Sequence, residues 1–188
     1  MVHKRRTLRA PLRNGTLRIK MSELELVERF LRSQSTLTLA TTAGDGSPHA
    51  AALFYLLQED LRLYWFSSAS SEHSRNLERD GAAAVSVYRQ TGEWRKIRGV
   101  QMRGTAAIVK GRAERSAIAG LYTERFHLGR LFEAGIARAT LYGFRPDWVR
   151  YIDNSKGFGY KFELAPQVTR EAGPVMQTST AGWLNTKR

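Results

Sequence analysis

Three strand-like segments follow one another early in the chain, with only short turns between them. The first, Thr36–Thr42, is rich in β-branched residues, and the turn Gly44-Asp45-Gly46 leads from it into Ser47–Leu57. The third, Leu61–Phe66, follows a short polar break. Successive segments of this kind are typical of antiparallel hairpins, because parallel strands need a long crossover between them. The order therefore argues against a parallel doubly wound sheet and predicts a mainly β chain with a few helices.

Helices and further strands surround these three segments. Ser22 and Glu25 have the spacing of a capping box, which predicts that a helix begins there. An amphipathic pattern predicts another helix over residues 112–133. Gly99 and Gly104 interrupt a long β segment and indicate bends or close backbone contacts. The remaining predicted elements are a short helix after Ser67–Ser71 and strands at Ala82–Tyr88, Lys96–Lys110, Ala139–Asp153 and Phe158–Leu164.

Length and charge distribution indicate one domain with two unlike ends. A chain of 188 residues with 42% hydrophobic composition can bury one substantial core. Residues 1–20 contain seven Lys and Arg and no acidic residue, so they carry more than half of the net charge of +13. Residues 165–188 are mostly polar or small. We therefore expect a folded domain over 21–164 between a flexible basic extension and a flexible tail, with Met1 and Met21 both candidate translation starts.

Composition also excludes several functional classes. The chain has no cysteine, which excludes disulfides, thiolate nucleophiles and thiolate metal sites and is typical of a reducing compartment. No apolar stretch reaches the roughly 18 residues that a membrane-spanning helix needs. No histidine has partners at metal-ligand spacing, and no Gly-x-Ser-x-Gly motif supports a serine hydrolase. We expect a cytoplasmic protein with no membrane partner and no metal site.

The segment Ser67–Asn76 has the composition of a phosphate-binding turn. The segment contains five serines and Arg75, and it runs from the end of the third strand into the first turns of a helix. Free N–H groups at a helix start, serine hydroxyls and a guanidinium fork are all suited to phosphate. Serines before a helix are also ordinary N-caps, so the segment alone leaves both interpretations open.

Several segments, taken in order, resemble a known family. The segments Leu39-Ala40-Thr41-Thr42, Gly46-Ser47-Pro48-His49-Ala50-Ala51, Leu63-Tyr64-Trp65-Phe66 and Arg75-Asn76-Leu77 are similar to those of pyridoxamine 5′-phosphate oxidase-like split barrels. Arg98–Gly104 and Asp153–Gly159 resemble a bacterial subgroup of that superfamily. The resemblance covers about residues 22–164. It implies a six-stranded antiparallel split barrel that forms a homodimer, with FMN bound at the subunit interface.

The resemblance also implies which residues contact the cofactor. In such proteins a Ser or Thr at the end of the third strand and basic residues of the next helix hold the phosphate, while the flavin ring lies against the second and third strands. The matching positions here are Ala52, Leu53, Phe54, Tyr55, Trp65, Phe66, Ser67, Ser68, His73 and Arg75, with Arg98 as a further candidate near the phosphate.

Two alternatives qualify this list of residues. Strand aromatics such as Tyr55, Trp65 and Phe66 are more often core residues, and a strand arginine such as Arg98 is more often part of a solvated face than of a phosphate site. His73 stands where the family commonly has Lys. Because a neutral imidazole supplies only one donor, we expect weaker, pH-dependent binding of phosphate.

These features predict an FMN-dependent oxidoreductase in which the cofactor carries the redox chemistry, a nicotinamide is a candidate electron donor, and no side chain is singled out as catalytic. Two alternatives share the fold: a non-enzymatic flavin carrier or redox sensor, and a relative that uses deazaflavin F420 or haem. A third is nucleic-acid binding through residues 1–20, which is less favoured because no aromatic residue is interleaved with the cations.

Overall fold

The computed structural model describes residues 22–127 and 129–165, and for residues 130–133 it describes the backbone alone. That part of the chain contains four α-helices and eight β-strands. The helices are α1 (Glu23–Ser33), α2 (Glu72–Arg79), α3 (Arg112–Phe126) and α4 (Arg130–Arg138). The strands are β1 (Thr36–Thr42), β2 (Pro48–Phe54), β3 (Leu56–Leu57), β4 (Leu63–Ser67), β5 (Ala82–Tyr88), β6 (Arg98–Ile108), β7 (Thr140–Asp153) and β8 (Lys161–Leu164).

All eight strands form one antiparallel sheet, as the sequence predicts. The hydrogen-bonded order is β2-β1-β5-β6-β7-β4-β3, and β8 also pairs with β7. The two end strands of this order, β2 and β3, are separated along the chain by Tyr55 alone. The sheet therefore curls back toward itself, and the predicted split-barrel architecture is confirmed.

The number of strands differs from the six that the resemblance implies. The predicted strand Ser47–Leu57 is interrupted at Tyr55, whose hydroxyl donates a 2.6 Å hydrogen bond to the Leu31 carbonyl. β7 has 14 residues, whereas β4 pairs with only its first five, Thr140–Phe144. The remaining length of that edge is free to pair with the extra strand β8, which it does over 149–152.

The barrel interior is filled by alternate residues of the strands and by one face of α1. In β1, Leu37 and Leu39 are buried while their neighbours along the strand are half-buried or exposed. Val27 and Leu31 of α1 are fully buried against the same core. The predicted capping box at Ser22 is confirmed, since its hydroxyl accepts from the Glu25 N–H and the Glu25 carboxylate accepts from the Ser22 N–H. None of the described helices is long and apolar enough to cross a membrane.

The helix predicted over 112–133 is two helices. α3 ends at Phe126, and His127 adopts a left-handed conformation with φ of 48°. α4 then begins at Arg130 after Gly129. Ile118 and Tyr122 of α3 pack with Leu56, Tyr64 and Leu141 in a second, smaller apolar cluster. The break lets both helices cover one end of the sheet.

Candidate functional site

The predicted strand, serine turn and helix are all present: the strand is β4, the helix is α2, and the serine turn joins them. Ser67 is the last residue of β4, and Ser71 is the N-cap of α2. The Ser71 hydroxyl accepts from the Ser74 N–H at 3.4 Å, which fixes the start of the helix. Ser67 and Ser68 are therefore left outside the cap, at the edge of the turn.

A histidine joins the two ends of this turn. His73 Nε2 lies 2.7 Å from Ser67 Oγ and 3.0 Å from Ser71 Oγ, and the residue is only 7% exposed. The His49 ring stacks on it with 6.3 Å between centroids, and His49 Nδ1 lies 3.4 Å from a carboxylate oxygen of Glu72. Burial, together with the nearby His49, holds the pKa of His73 below its ordinary value of 6.5. The imidazole is therefore neutral at neutral pH.

Arg75 supplies the fixed positive charge of this segment. Its guanidinium is exposed and donates to the Ser70 carbonyl, so it folds back over the serine turn. The Ser68 and Ser70 hydroxyls lie 2.8 Å apart on the same turn. Asn76 has a structural role: its side chain donates to the Thr41 hydroxyl at 3.1 Å and ties α2 to β1.

A cleft of about 360 Å³ opens beside Ser67 and contains six of the predicted residues. We call it the Ser67 cleft. Its lining residues are Ala52, Leu53, Phe54, Phe66, Ser67, Ser68, Tyr122, Phe126, Gly135, Ile136 and Ala139. One end is therefore formed by Ser67 and Ser68, while most of the wall is apolar.

Helices α3 and α4 form the side of the cleft that the sequence did not indicate. The Tyr122 ring meets Phe66 edge to face at 5.2 Å, and Phe126 lies 5.0 Å from Phe54. The buried Tyr122 hydroxyl donates to the Phe54 carbonyl at 3.1 Å, and burial raises the pKa of this tyrosine to about 12. The amphipathic pattern of 112–133 predicts that Tyr122 is buried. It contains no information on which strands the helix covers.

Three other predicted residues lie elsewhere. The structure places Tyr55 and Trp65 in the core, fully buried, so neither side chain is presented to a ring lying on the sheet. Arg98 pairs across the ladder with Asp153, whereas Ser67 pairs with Thr140. These two positions are 13 residues apart on β7, up to about 40 Å of extended strand, so Arg98 does not join the Ser67 cleft of its own chain.

One family model matches most of the folded domain. The family model described as pyridoxamine 5′-phosphate oxidase matches residues 24–153. A UPF0306 protein of Yersinia pseudotuberculosis serotype O:3 is 30% identical over 138 residues, which cover 72% of this chain and 88% of that protein. A UPF0306 protein of Cronobacter sakazakii is 28% identical over 141 residues, covering 75% and 94% of the two chains.

Solved structures share the fold at lower identity. The conserved hypothetical protein Rv2991 from Mycobacterium tuberculosis superposes with a TM-score of 0.62 at 24% identity, covering 73% of this chain and 88% of that one. A heme binding protein from Mycobacterium smegmatis gives a TM-score of 0.66 at 22% identity, over 79% and 60% of the two chains. HutZ, the heme storage protein from Vibrio cholerae, gives a TM-score of 0.56 at 18% identity, covering 64% of this chain and 87% of that one. Since the family model spans both halves of the barrel and α2 between them, this chain belongs to the pyridoxamine 5′-phosphate oxidase family.

Proposed function

We propose that this chain is an FMN-binding oxidoreductase whose flavin ring lies in the Ser67 cleft. One observation carries the proposal: a single cleft has a wide apolar wall and, at one end, the serines Ser67 and Ser68. A volume of about 360 Å³ is within the range of small-molecule and cofactor sites. The family membership of the chain supports the same cofactor.

The cleft wall suits a flat, largely apolar ring system. Phe54 is half exposed and Phe66 is partly exposed, so both present aromatic surface to a ligand. Tyr122 fixes the position of this wall, because its hydroxyl is already committed to the Phe54 carbonyl. With its pKa raised to about 12, Tyr122 acts as a positioning residue and not as a proton donor near neutral pH.

The polar end suits a phosphate through hydroxyls and one cation. Ser67 and Ser68 are on the cleft surface, and Arg75 brings its guanidinium to the same turn. Neutral His73 adds no charge, but its bond to Ser67 orients that hydroxyl. We therefore expect Ser67, Ser68 and Arg75 to hold the phosphate, with a lower affinity than a site with a second fixed cation would have.

When bound, the flavin supplies the hydride and electron transfer, with a nicotinamide as the candidate donor. The chain binds the ring, excludes water from one side of it and anchors the phosphate. We also propose that the functional unit is a homodimer with the cofactor at its interface. The exposed outer face of β1, β2 and β5 supports this, since its small side chains allow close approach of a second subunit: Ala40, Ala50, Ala52, Ala82 and Ala84.

Flavin binding is tested on the purified protein and on the variant Ser67→Ala. We expect the absorbance spectrum and the mass of the released cofactor to identify FMN, and Ser67→Ala to bind added FMN about tenfold more weakly, since it loses a hydrogen bond to a charged group. Titration of flavin fluorescence measures both affinities. Ser116→Ala, an exposed serine on α3, is the matched control and should bind FMN as the wild type does.

Protein that neither contains nor binds FMN would refute the proposal, as would F420 or haem as the released cofactor. Steady NADH or NADPH turnover by the FMN-loaded protein would separate an enzyme from a flavin carrier.

The role of His73 is tested by pH. Its pKa is lowered, so it should gain a proton only below about pH 6.5, and a nearby phosphate would then be bound more tightly. We expect the affinity ratio of FMN to riboflavin to be higher in the wild type than in His73→Gln at about pH 5.5, and equal in the two proteins near pH 8. Riboflavin lacks the phosphate and serves as the control ligand. Identical pH profiles in the two proteins would mean that His73 does not sense the phosphate.

A haem site is the second candidate, and one observation favours it. The His49 side chain is 27% exposed, and its Nδ1 faces Glu72 at 3.4 Å, an arrangement that orients imidazole ligands in metal sites. Two of the solved structures that share the fold are a heme binding and a heme storage protein. A haem absorption band that His49→Ala abolishes would favour haem over FMN. Leu24→Ser, a control substitution at an exposed residue of α1, should leave that band unchanged.

A further inference from the structure

A second cavity opens beside the start of α3, whereas the Ser67 cleft lies beside the end of that helix. Its volume is about 320 Å³, which is at the lower end of the range of small-molecule sites. The lining residues lie in and beside β4, β6, α3 and β7. We call it the Gly143 pocket; its lining residues with polar side chains are Arg62, Tyr64, Lys110, Glu114 and Arg145.

The shape of the Gly143 pocket follows from a glycine in the middle of the sheet. Gly143 pairs with Tyr64 of β4 on one side and with Ala107 of β6 on the other. A Cβ at position 143 would lie 3.1 Å from Tyr64 Cε1 and 3.3 Å from Val109 Cγ2, so any larger residue would crowd both walls. A glycine inside a strand often marks a place where a ligand approaches the backbone closely. The depression is therefore a property of the fold.

Positive charge converges on this depression. Arg62, Lys110 and Arg145 line it, and none of them belongs to an ion pair within the described residues. Glu114 is the single carboxylate among the described lining residues. Three positive charges and one negative charge give the pocket a net charge of +2. Clefts lined by one sign of charge raise the local concentration of ligands with the opposite charge.

A buried tyrosine holds the one carboxylate in place. The Tyr64 hydroxyl donates to Glu114 Oε1 at 2.8 Å, and Tyr64 is only 5% exposed. Burial and this hydrogen bond raise the pKa of Tyr64, although the nearby Arg62 opposes the shift. The hydroxyl therefore stays protonated near neutral pH and remains a donor. Glu114 is thus bonded to Tyr64 and leaves the three cations without an anionic partner.

We propose that the Gly143 pocket binds a small phosphate monoester that has an apolar body. The two charges of such a phosphate match the net charge of +2, whereas a carboxylate has only one. The guanidinium groups of Arg62 and Arg145 suit its oxygens, since their planar forks match phosphate geometry. Ile108, which is 43% exposed, and Val109 provide apolar surface for the rest of the ligand.

The Gly143 pocket is separate from the flavin site and from the proposed dimer face. It shares no lining residue with the Ser67 cleft. Tyr64 pairs with Gly143 and Ser67 with Thr140, so three residues, about 10 Å of strand, separate the two rows. None of its lining residues belongs to β1, β2 or β5, the strands of the alanine-rich face. The proposal therefore goes beyond the flavin function, and protein without a cofactor should bind the ligand equally well.

The test is isothermal titration calorimetry of the full chain with phenyl phosphate, inorganic phosphate and benzoate. We expect phenyl phosphate to bind most tightly, because it alone combines two charges with an apolar ring. Arg62→Gln and Arg145→Gln together should weaken its binding about tenfold or more. Glu114→Gln keeps an acceptor for the Tyr64 hydroxyl but removes a negative charge, so it should strengthen binding about threefold or more.

Matched variants control for charge and for the other cleft. Arg29→Gln removes the same charge from an exposed position of α1 and should bind phenyl phosphate as the wild type does. Ser67→Ala should also leave this affinity unchanged. Circular dichroism and thermal unfolding confirm that each variant is folded. Lys110→Gln, at an exposed position, should weaken binding several-fold and replaces the double variant if that protein does not fold.

Four results would overturn the proposal. The first is a wild-type protein that does not bind phenyl phosphate. The second is binding that Ser67→Ala removes and the double arginine variant retains, which would assign the ligand to the Ser67 cleft. The third is weaker binding in Glu114→Gln, because a repelling carboxylate cannot have that effect. The fourth is equal affinity for phenyl phosphate and inorganic phosphate, which would mean that the apolar wall takes no part in recognition.

Discussion

Gly104→Ala is expected to lower the free energy of unfolding by more than about 4 kcal/mol, or to prevent folding. The β6–β7 register shifts between Arg103 and Gly104, which face Trp148 and Pro146 and leave Asp147 unpaired. A Cβ at position 104 would lie 2.1 Å from the Arg145 carbonyl oxygen and 2.8 Å from Pro146 Cα. Both are backbone atoms of the facing strand, so no side-chain rotation relieves the overlap, and the bulge must open.

A second glycine provides the control for that prediction. Gly120 is in the interior of α3, and a Cβ there would meet no atom within 4 Å. Gly120→Ala should therefore raise stability by about 0.5–1 kcal/mol, through the better helix propensity of alanine. Urea unfolding followed by circular dichroism measures both variants. Equal, small effects at the two positions would show that the close contact at Gly104 is not needed for the fold.

Arg98→Ala should be the next most damaging change, with a loss of about 2–3 kcal/mol. Arg98 Nε lies 3.1 Å from Asp153 Oδ2, near enough for an ion pair although not aligned as a hydrogen bond. The Asp153 side chain is 3% exposed, so removing the cation leaves a buried charge without its partner. Arg98 itself is 36% exposed, and Ser155 donates to the same carboxylate at 2.5 Å. Water and this serine reduce the cost below that of a fully buried pair.

The pH dependence of this loss tests its cause. Burial raises the pKa of Asp153, but the Ser155 hydroxyl and Arg98 together lower it by more than burial raises it. The folded pKa therefore lies below the ordinary value of 3.8. A carboxyl group with a lowered folded pKa stabilises the fold above its unfolded pKa, and that contribution disappears as the pH falls through the folded pKa. The difference between wild type and Arg98→Ala should therefore be full at pH 7 and shrink below about pH 4.

Two measurements complete the assignment of this pair. Lys96→Ala removes an exposed cation two residues before Arg98 and should change stability by no more than about 0.5 kcal/mol. A double-mutant cycle with Asp153→Asn then isolates the interaction between the two side chains. A loss in Arg98→Ala that is the same at pH 7 and pH 3 would contradict the ion-pair explanation.

The position of Arg98 is a feature that the sequence pattern alone could not predict. An arginine near the start of a long β segment is compatible with a phosphate contact or a solvated face. The β6–β7 register places Arg98 opposite Asp153 and away from Ser67 of the same chain. The approach of Arg98 to a cofactor at a subunit interface stays a prediction. Cross-strand register depends on contacts between residues about 55 positions apart, and no local pattern contains it.

The sequence by itself determined the elements whose signals are local. The turn residues between the first strands, the capping box at Ser22 and the strand-to-helix turn after Ser67 depend on neighbours a few positions away, and the structure contains all three. The tertiary structure alone decided the break at Tyr55, the far wall of the Ser67 cleft and the burial of Trp65. The physical reason is distance along the chain: Tyr122 reaches the Phe54 carbonyl across 68 residues, and only packing of the whole barrel brings them together.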